Sequence, residues 1–437
     1  MIVLDKNKYG ETKKARLFYC LISSFDSSVI AFFIVFLNEL SNELNWSDIQ
    51  LSIALALLPL CSACFIYLFS YFVSHHIKNL KLIRIIVSLI FMLILFLGFF
   101  SLLFKVNDSN NLLFYSLIII SVSLIYALFD SLLAIQSASI AYINKLEGTL
   151  YGHVCLFGCL IDVIFSLLAG FVASSLFNNY QGYSFLFLIF SPILIVIFLF
   201  TFKFDPYKEY IDEIDKKNAR VKDIFKIKRY PFYFILVSVL IPFCLLNQSL
   251  TSNMFTSLRN AELNNIFNSL TWGVILSIQA LVQFITIFIN TKIDPFKKTE
   301  TSLKVSLTFL FIRTLILTFI SYFFIQSSNG DITAYLLILL ASSTHGISNG
   351  LFVTSNMRIL NNLMDSKHRT RAIFTQNGVF KLITGFFSFL YPLLVNKKHG
   401  SYRYIDFIVF LVIVFVALVS SFFFNLEDKS NKDKSSV

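Results

Sequence analysis

The stretch KFDPYKEYIDEIDKKNARVKDIFKIKRY, Lys203 to Tyr230, divides the chain into two apolar regions of similar length. Nine of its residues are Lys or Arg, and it is the only long charged interval between the two ends. About 200 residues of apolar runs precede it, and about as many follow it. We interpret it as a solvated linker between two membrane-embedded halves. The alternative is an ordinary cytoplasmic loop in another kind of many-helix membrane protein.

The composition requires a lipid environment. Of the 437 residues, 57% are hydrophobic and 14% are charged, 52 are Phe, and the mean hydropathy is +0.75, whereas a soluble protein carries about 25% charged residues. The net charge of +11 does not indicate a nucleic-acid partner, because the basic residues lie in the short intervals between apolar runs. Cys61-x-x-Cys64 has no second metal-ligand pair in view, so the sequence predicts no metal and no cofactor.

Apolar runs long enough to cross a bilayer, about 20 residues each, occur twelve times. The sequence therefore predicts an all-α polytopic membrane protein with twelve transmembrane helices in two six-helix halves. The predicted spans, numbered 1 to 12, are 16–41, 48–73, 82–104, 112–142, 150–177, 183–202, 231–257, 264–290, 305–325, 332–360, 372–395 and 404–425. The corresponding domains are 1–202, a basic linker 203–230, 231–425, and a disordered tail 426–437.

The basic residues predict the orientation. With the N-terminus inside, the inner segments hold 29 Lys and Arg and the outer segments hold 5. Inner loops of membrane proteins carry the excess of basic residues. We therefore expect both termini and the linker to be cytoplasmic, in a monomeric protein of the cell (inner) membrane.

Polar and ionisable side chains inside the apolar runs are the candidate functional residues. A charge at mid-bilayer costs at least about 2.5–3.5 kcal/mol on insertion scales, so such residues normally face a bundle interior or a wet cavity. The candidates for binding a solute are Asp26, Gln136, Asp162, Arg313, His345, Asn349 and Lys381, and the candidates for carrying a proton are Asp130 and Asp162.

The signs of these charges are segregated. The acids Asp26, Asp130 and Asp162 lie in the first half, whereas Arg313, His345 and Lys381 lie in the second. If the halves face each other across a cavity, the two signs meet there. The alternative is a set of static ion pairs that hold the halves together.

Two motifs resemble the major facilitator superfamily, in particular the branch of lactose permease and the nucleoside–proton symporters. They are the aromatic-Gly run Tyr151–Cys159 that opens span 5 and the His-Gly-x-x-x-Gly run His345–Phe352 in span 10. Arg313 and Lys381 also fall where lactose permease keeps basic residues. The resemblance implies a twelve-helix transporter that works by alternating access.

The departures from that branch are informative. Its substrate-holding acid and arginine correspond to Gln136 and Cys155, and the aromatic that stacks on galactose corresponds to Asp162. A galactoside permease is therefore not expected. The family's loop between spans 2 and 3 lacks its Gly and Asp here, whereas the matching loop after span 8 keeps Asp294, Lys297 and Lys298.

We thus expect a secondary transporter for a small polar solute, sugar or nucleoside-like, with protons as the candidate coupling ion. A carrier of organic anions or phosphorylated solutes is the alternative, because the second half is rich in buried cations. A receptor that keeps the transporter shape without transporting is a third interpretation. A membrane enzyme is not expected, because the chain has no catalytic triad order in motif context and no Gly-rich phosphate loop.

Overall fold

A computed structural model describes residues 150–175, 221–242, 266–296, 298–325, 332–364, 366–394 and 404–426. It also describes Thr251, Phe255 and thirteen scattered positions between residues 17 and 67, all of them helical. Spans 3, 4 and 6 lie outside the described residues. Spans 1 and 2 are represented by the scattered positions only.

The described part of the chain is helical and contains no strand. Most of its helices correspond to predicted span 5 and spans 7 to 12; α2 lies within the predicted linker. The helices are α1 Leu150–Ser175, α2 Val221–Ile224, α3 Tyr230–Ile235, α4 Ser269–Lys292, α5 Thr299–Ile320, α6 Ile332–Leu363, α7 Ser366–Leu394 and α8 Tyr404–Phe422. Two π-helical turns, Leu236–Leu240 and Ser321–Ile325, extend α3 and α5.

Several helices begin at a different residue from the predicted span. Helix α4 begins five residues after position 264, because Asn268 caps it. The side chain of Asn268 accepts a hydrogen bond from Thr271 N at 2.9 Å, and Thr271 Oγ1 accepts one from Asn268 N at 3.0 Å. Helices α5 and α7 begin six residues before their predicted spans. Their first turns are charged, and hydropathy does not detect helix that continues beyond the lipid.

Four of the described helical segments are long and apolar enough to cross a membrane: Gly152–Phe171, Ser269–Lys292, Thr299–Phe324 and Ile332–Leu363. Their outward faces consist of large apolar side chains. On α1 these are Phe157, Leu160, Ile164, Leu167, Leu168 and Phe171. This is the surface that lipid requires, and the chain is a multi-pass membrane protein.

Helices α1 and α4 join the two predicted halves through small residues. A Cβ atom placed on Gly273 would lie 2.7 Å from the carbonyl oxygen of Ser166 and 2.8 Å from the Cα of Gly170. Near one end of the pair, Gly152 packs directly on the side chain of Thr291. Small residues let membrane helices approach closely enough for their backbones to touch.

The variant Gly273→Ala is expected to lower the free energy of unfolding by about 1–3 kcal/mol, the usual cost of overpacking. The atoms that its Cβ would meet belong to the backbone of α1, so they cannot move aside without separating the helices. Thermal unfolding of the purified protein in detergent measures the effect. Leu281→Ala, on the exposed face of the same helix, is the control. Equal losses in both variants would contradict the close contact.

A second contact between the halves involves α7 and the described part of span 2. Gly378 packs on the ring of Tyr67, and Gly385 packs on the side chain of Leu60. The helices of spans 2, 5, 8 and 11 therefore meet in two pairs across the boundary between the predicted halves.

A hydrophobic core lies at one end of the second half. Tyr230 and Tyr233 of α3 are fully buried there, together with Leu303 of α5, Ile359 of α6 and Phe424 after α8. This end carries the basic linker residues, so it is the end that the charge pattern assigns to the cytoplasm.

Candidate functional site

The described candidate residues lie near the midpoints of their helices. Asp162 is at the middle of α1, Arg313 at the middle of α5 with its π turn, and Lys381 at the middle of α7. His345 and Asn349 lie on either side of the middle of α6. At a rise of about 1.5 Å per residue, each is within about 5 Å of the half-way point of its helix. Each therefore lies in the middle part of its helix, and we call the part of the bundle that contains these residues the polar level.

Arg313 and His345 are in direct contact. Nη1 of Arg313 lies 2.7 Å from Nδ1 of His345, and Nη2 donates to Thr251 Oγ1 at 3.2 Å. Both side chains are at most 2% exposed. A guanidinium only donates, so Nδ1 of His345 must accept, and the ring proton of the neutral imidazole is then on Nε2. Helices α5 and α6 and span 7 thus form a polar cluster inside the second half.

The charge of Arg313 is not neutralised within the described part of the protein. Its partners are an imidazole and a hydroxyl, and its Nε has no hydrogen-bond acceptor. None of the described carboxylates lies within ion-pair distance of it. A buried cation without a carboxylate is costly, and it favours the approach of a negatively charged or strongly accepting group.

Asp162 faces the interior of the protein. At about 100° per residue, it lies on the side of α1 opposite the exposed apolar face, yet it is partly accessible. Its hydrogen-bond partner is Ser166, whose Oγ is 3.5 Å from Oδ1. Among described residues, no basic side chain pairs with it. The carboxylate of Asp162 therefore faces the protein interior and not lipid.

Two glutamines near the middle of α4 were not among the sequence candidates. Gln279 and Gln283 lie on α4 opposite its exposed face, and Gln283 Oε1 accepts a hydrogen bond from Asn349 Nδ2 at 3.2 Å. Ser277 Oγ donates to Val163 O at 3.0 Å, which puts this part of α4 level with Asp162. The i, i+4 spacing of two amides in an apolar run was a signal in the sequence that the list of candidates did not include.

Helix α6 approaches α4 closely beside these amides. Gly346 packs against the carbonyl oxygen of Gln279, and a Cβ on Gly350 would lie 3.1 Å from the carbonyl oxygen of Gln283. This contact brings His345 and Asn349 next to the glutamines. Glycine at these two positions permits the close approach of the helices.

Lys381 lies on the face of α7 that contacts span 2, since Gly378 and Gly385 are three residues before it and four after it. It is partly buried. The remaining candidates, Asp26, Asp130 and Gln136, lie outside the described residues. The expected meeting of acids and bases across a cavity therefore stays a prediction, and the described partners of Arg313 all belong to its own half.

A separate polar network lies towards the basic end of the bundle. Arg358 of α6 donates to Asp294 Oδ1 at 2.6 Å and to Asn290 O at 3.0 Å, so it holds the loop that follows α4. On the other side of α6, Asn356 accepts from Tyr233 OH and, at 2.9 Å, from Gln376 Nε2. No group of three or more potential metal ligands is found among the residues with defined positions.

Comparisons with known proteins give a fold but no family. No family model matches the sequence, and no curated relative matches it. Solved structures match over nearly the whole chain at 13% identity. A mutant form of the nucleoside transporter NupG covers 93% of this chain and 99% of its own, with a TM-score of 0.66. A D-xylose-proton symporter covers 96% and 98%, with a TM-score of 0.65.

The chain has the major facilitator fold. The xylose transporter XylE from E. coli, in a partially occluded inward-open conformation, agrees with it at a TM-score of 0.64 over 96% of this chain and 98% of its own. The predicted fold class, twelve helices in two six-helix halves, is thereby confirmed.

Proposed function

We propose that the protein is a secondary active transporter that moves a small polar solute by alternating access. The observation that carries this proposal is the polar level itself: α1, α4, α5, α6 and α7 each place a polar or charged residue at mid-depth. In transporters of this architecture the solute site lies near the bilayer midplane, between repeats that rock about it.

The residues divide into two groups by accessibility. Asp162, Gln283 and Asn349 are partly accessible and are proposed to contact the solute, together with Lys381 and the sequence candidates Asp26 and Gln136. Arg313 and His345 are buried behind these accessible residues. They are proposed to become accessible to the solute when α5 and α6 shift. Asp162 or the sequence candidate Asp130 is proposed to carry the coupling proton. Among the described residues no basic side chain pairs with Asp162, so a proton can neutralise its carboxylate.

A sugar or nucleoside-like solute fits the accessible side chains. Amide and carboxylate groups form hydrogen bonds with hydroxyls and with the edges of nucleobases. Several proteins with the same fold are named as nucleoside or xylose transporters, and one as a proton symporter. At 13% identity this supports the solute class only as a proposal. The termini are proposed to be cytoplasmic, in a monomer of the inner membrane with domains as predicted.

An organic anion is the second candidate. The guanidinium of Arg313 lacks a carboxylate among the described residues, and its Nε lacks an acceptor. A carboxylate or phosphate on the solute would supply both the negative charge and the hydrogen-bond acceptor when α5 and α6 move apart. Sugars and nucleosides carry no such charge, so transport assays distinguish the two.

The test is uptake into proteoliposomes that contain the purified full-length protein. Radiolabelled xylose, uridine and succinate are offered in turn, with and without an inward proton gradient and with counterflow. Accumulation of xylose or uridine that depends on the gradient is expected. Preferential uptake of succinate would establish the anion carrier instead. If the protein binds a solute but shows counterflow with none of the three, it is not a transporter of these solutes and the receptor interpretation is favoured.

A further inference from the structure

Helices α1 and α4 are in contact at both ends of the pair, but the two contacts differ in chemistry. Towards the basic end of the bundle, Gly152 packs on the side chain of Thr291, and we call this the basic-end contact. Towards the opposite end, Gly170 packs on Gly273, and we call this the far-end contact. Alternating access requires the two halves to separate on one side at a time. A comparison of the two contacts indicates at which end α1 and α4 separate.

The far-end contact joins the two backbones. A Cβ atom placed on Gly170 would lie 2.9 Å from the Cα of Gly273 and 2.9 Å from the carbonyl oxygen of Ser269. Nearer the middle of the pair, Ser277 Oγ donates to Val163 O at 3.0 Å, so a hydrogen bond also links the helices. Separation at this end would lose close packing between the backbones.

The basic-end contact buries a hydroxyl that has no hydrogen bond. Thr291 is 6% exposed, and its Oγ1 has no partner within the described part of the chain. A buried polar group without a partner destabilises the state in which it is buried. When α1 moves away from Thr291, water reaches the hydroxyl, so separation at this end gains a hydrogen bond.

Trp272 is the residue that a similar argument would place at the far end. Its Nε1 also lacks an acceptor among the residues with defined positions. Neighbouring residues of a helix point about 100° apart, and the Trp272 ring packs on Phe255 of the same half, with 5.0 Å between ring centres. Movement of α1 away from Gly273 therefore does not directly expose this indole.

The basic end of α4 is fixed to its own half. Asn290 Nδ2 donates to Thr354 Oγ1 of α6 at 2.6 Å. Arg358 of α6 donates to Asn290 O at 3.0 Å and to Asp294 Oδ1 at 2.6 Å. Four donor and acceptor groups thus hold α4 to α6 beside Thr291, so α1 is the helix that moves when the basic-end contact opens.

We propose that α1 and α4 separate at the basic end and pivot about the far-end contact, with Gly152 and Thr291 closing the solute path on the basic side. The unpartnered hydroxyl of Thr291 keeps this closure weak. The inference rests on the proposed alternating access, and it adds which contact opens, which helix moves and which side chain sets the balance.

The test measures how fast Cys159 reacts with N-ethylmaleimide in the full-length protein, in detergent and without solute. Cys159 is 6% exposed and packs on Ile287 of α4. It lies seven residues after Gly152, about 10 Å along the helix, so opening at the basic end exposes it. The other five cysteines are replaced by serine: Cys20, Cys61, Cys64, Cys155 and Cys244.

Two variants are expected to change the rate in opposite directions. Gly152→Ala should raise it at least about fivefold, because the new Cβ would lie 3.0 Å from the Cβ of Thr291, which side-chain rotation cannot move. Thr291→Val should lower it at least about fivefold, since valine has nearly the same shape without the unpaired hydroxyl. Unchanged rates in both variants would overturn the proposal.

Three controls separate this closure from general loosening. The exchange Gly152→Ala/Thr291→Gly should return the rate to within about twofold of the parent, because the small residue is then on α4. Thr308→Val removes a hydroxyl that is exposed and bonded to Lys304 O at 3.0 Å, and it should leave the rate unchanged. If Gly170→Ala raises the rate as much as Gly152→Ala, the pair does not open preferentially at the basic end.

Uptake measured on the same variants keeps the two proposals apart. If labelling changes as expected but no solute is taken up, the closure is supported and the proposed function is wrong. If labelling is unchanged in a protein that accumulates solute, the closure is wrong and transport is supported. If Gly152→Ala does not fold, Thr291→Val alone decides, and an unchanged rate in it would overturn the closure.

Discussion

Asp162→Asn is expected to abolish accumulation of the solute against a gradient while counterflow continues. One pH unit corresponds to about 1.36 kcal/mol, so a one-proton symporter can sustain about a tenfold solute gradient for each unit. Asparagine keeps the shape of the side chain and the contact with Ser166, but it cannot take up a proton. Accumulation in proteoliposomes should then fall to equilibration, where inside and outside concentrations are equal.

Two further variants isolate the role of Asp162. Asp130→Asn tests the other proton candidate. Asp223→Asn, at the exposed ion pair with Lys226, removes a carboxylate outside the membrane and should leave accumulation unchanged. If Asp162→Asn still accumulates solute and Asp130→Asn does not, Asp130 carries the proton. If both accumulate, neither does.

Arg313→Met is expected to make the protein more stable and less active. Replacing buried ions with apolar residues of similar size is often neutral or stabilising by about 1–4 kcal/mol. Arg313 is nearly inaccessible, with an Nε that has no acceptor. The loss of its bond to His345 offsets part of the gain. Uptake should fall at least about tenfold, because a charged hydrogen bond is worth about 1.5–3 kcal/mol.

The control is Arg313→Lys, which keeps the charge but cannot reach both His345 Nδ1 and Thr251 Oγ1 in the geometry of the guanidinium. It should lower both stability and uptake. Thermal unfolding and uptake are measured on the same preparations. If Arg313→Met unfolds at a lower temperature than the parent protein, the arginine stabilises the fold. The interpretation that it is kept for function at the expense of stability would then be wrong.

The sequence predicted the helices better than their contacts. Apolar runs predicted seven of the described helices within six residues of their observed starts, because burial in lipid requires a run of that length. The first turns of α5 and α7 were missed, since their charged residues lie beyond the lipid, where hydropathy carries no signal.

The polar level was partly predictable. Ionisable residues in apolar runs identified Asp162, Arg313, His345 and Lys381 as unusual, since each is costly in lipid. The contact between Arg313 and His345 could not be predicted, because the residues lie 32 positions apart on different helices and spacing does not define how two helices rotate. The amides of Gln136 and Asn349 were counted, but the glutamines of α4 were missed, since the apolar run that contains them has no ionisable side chain.

The turn between α6 and α7 has a mechanical consequence. Only residues 364 and 365 separate the two helices, and Arg369 Nη2 donates to Met364 O at 3.3 Å across that turn. The two longest of the described helices are therefore held together at the basic end. At about 1.5 Å per residue, α7 is a rod of about 44 Å. A rotation of α7 by about 10° about this connection would move its far end by about 8 Å and Lys381 by about half as much. A small change of angle at the connection therefore corresponds to a large displacement at the opposite end of the helix.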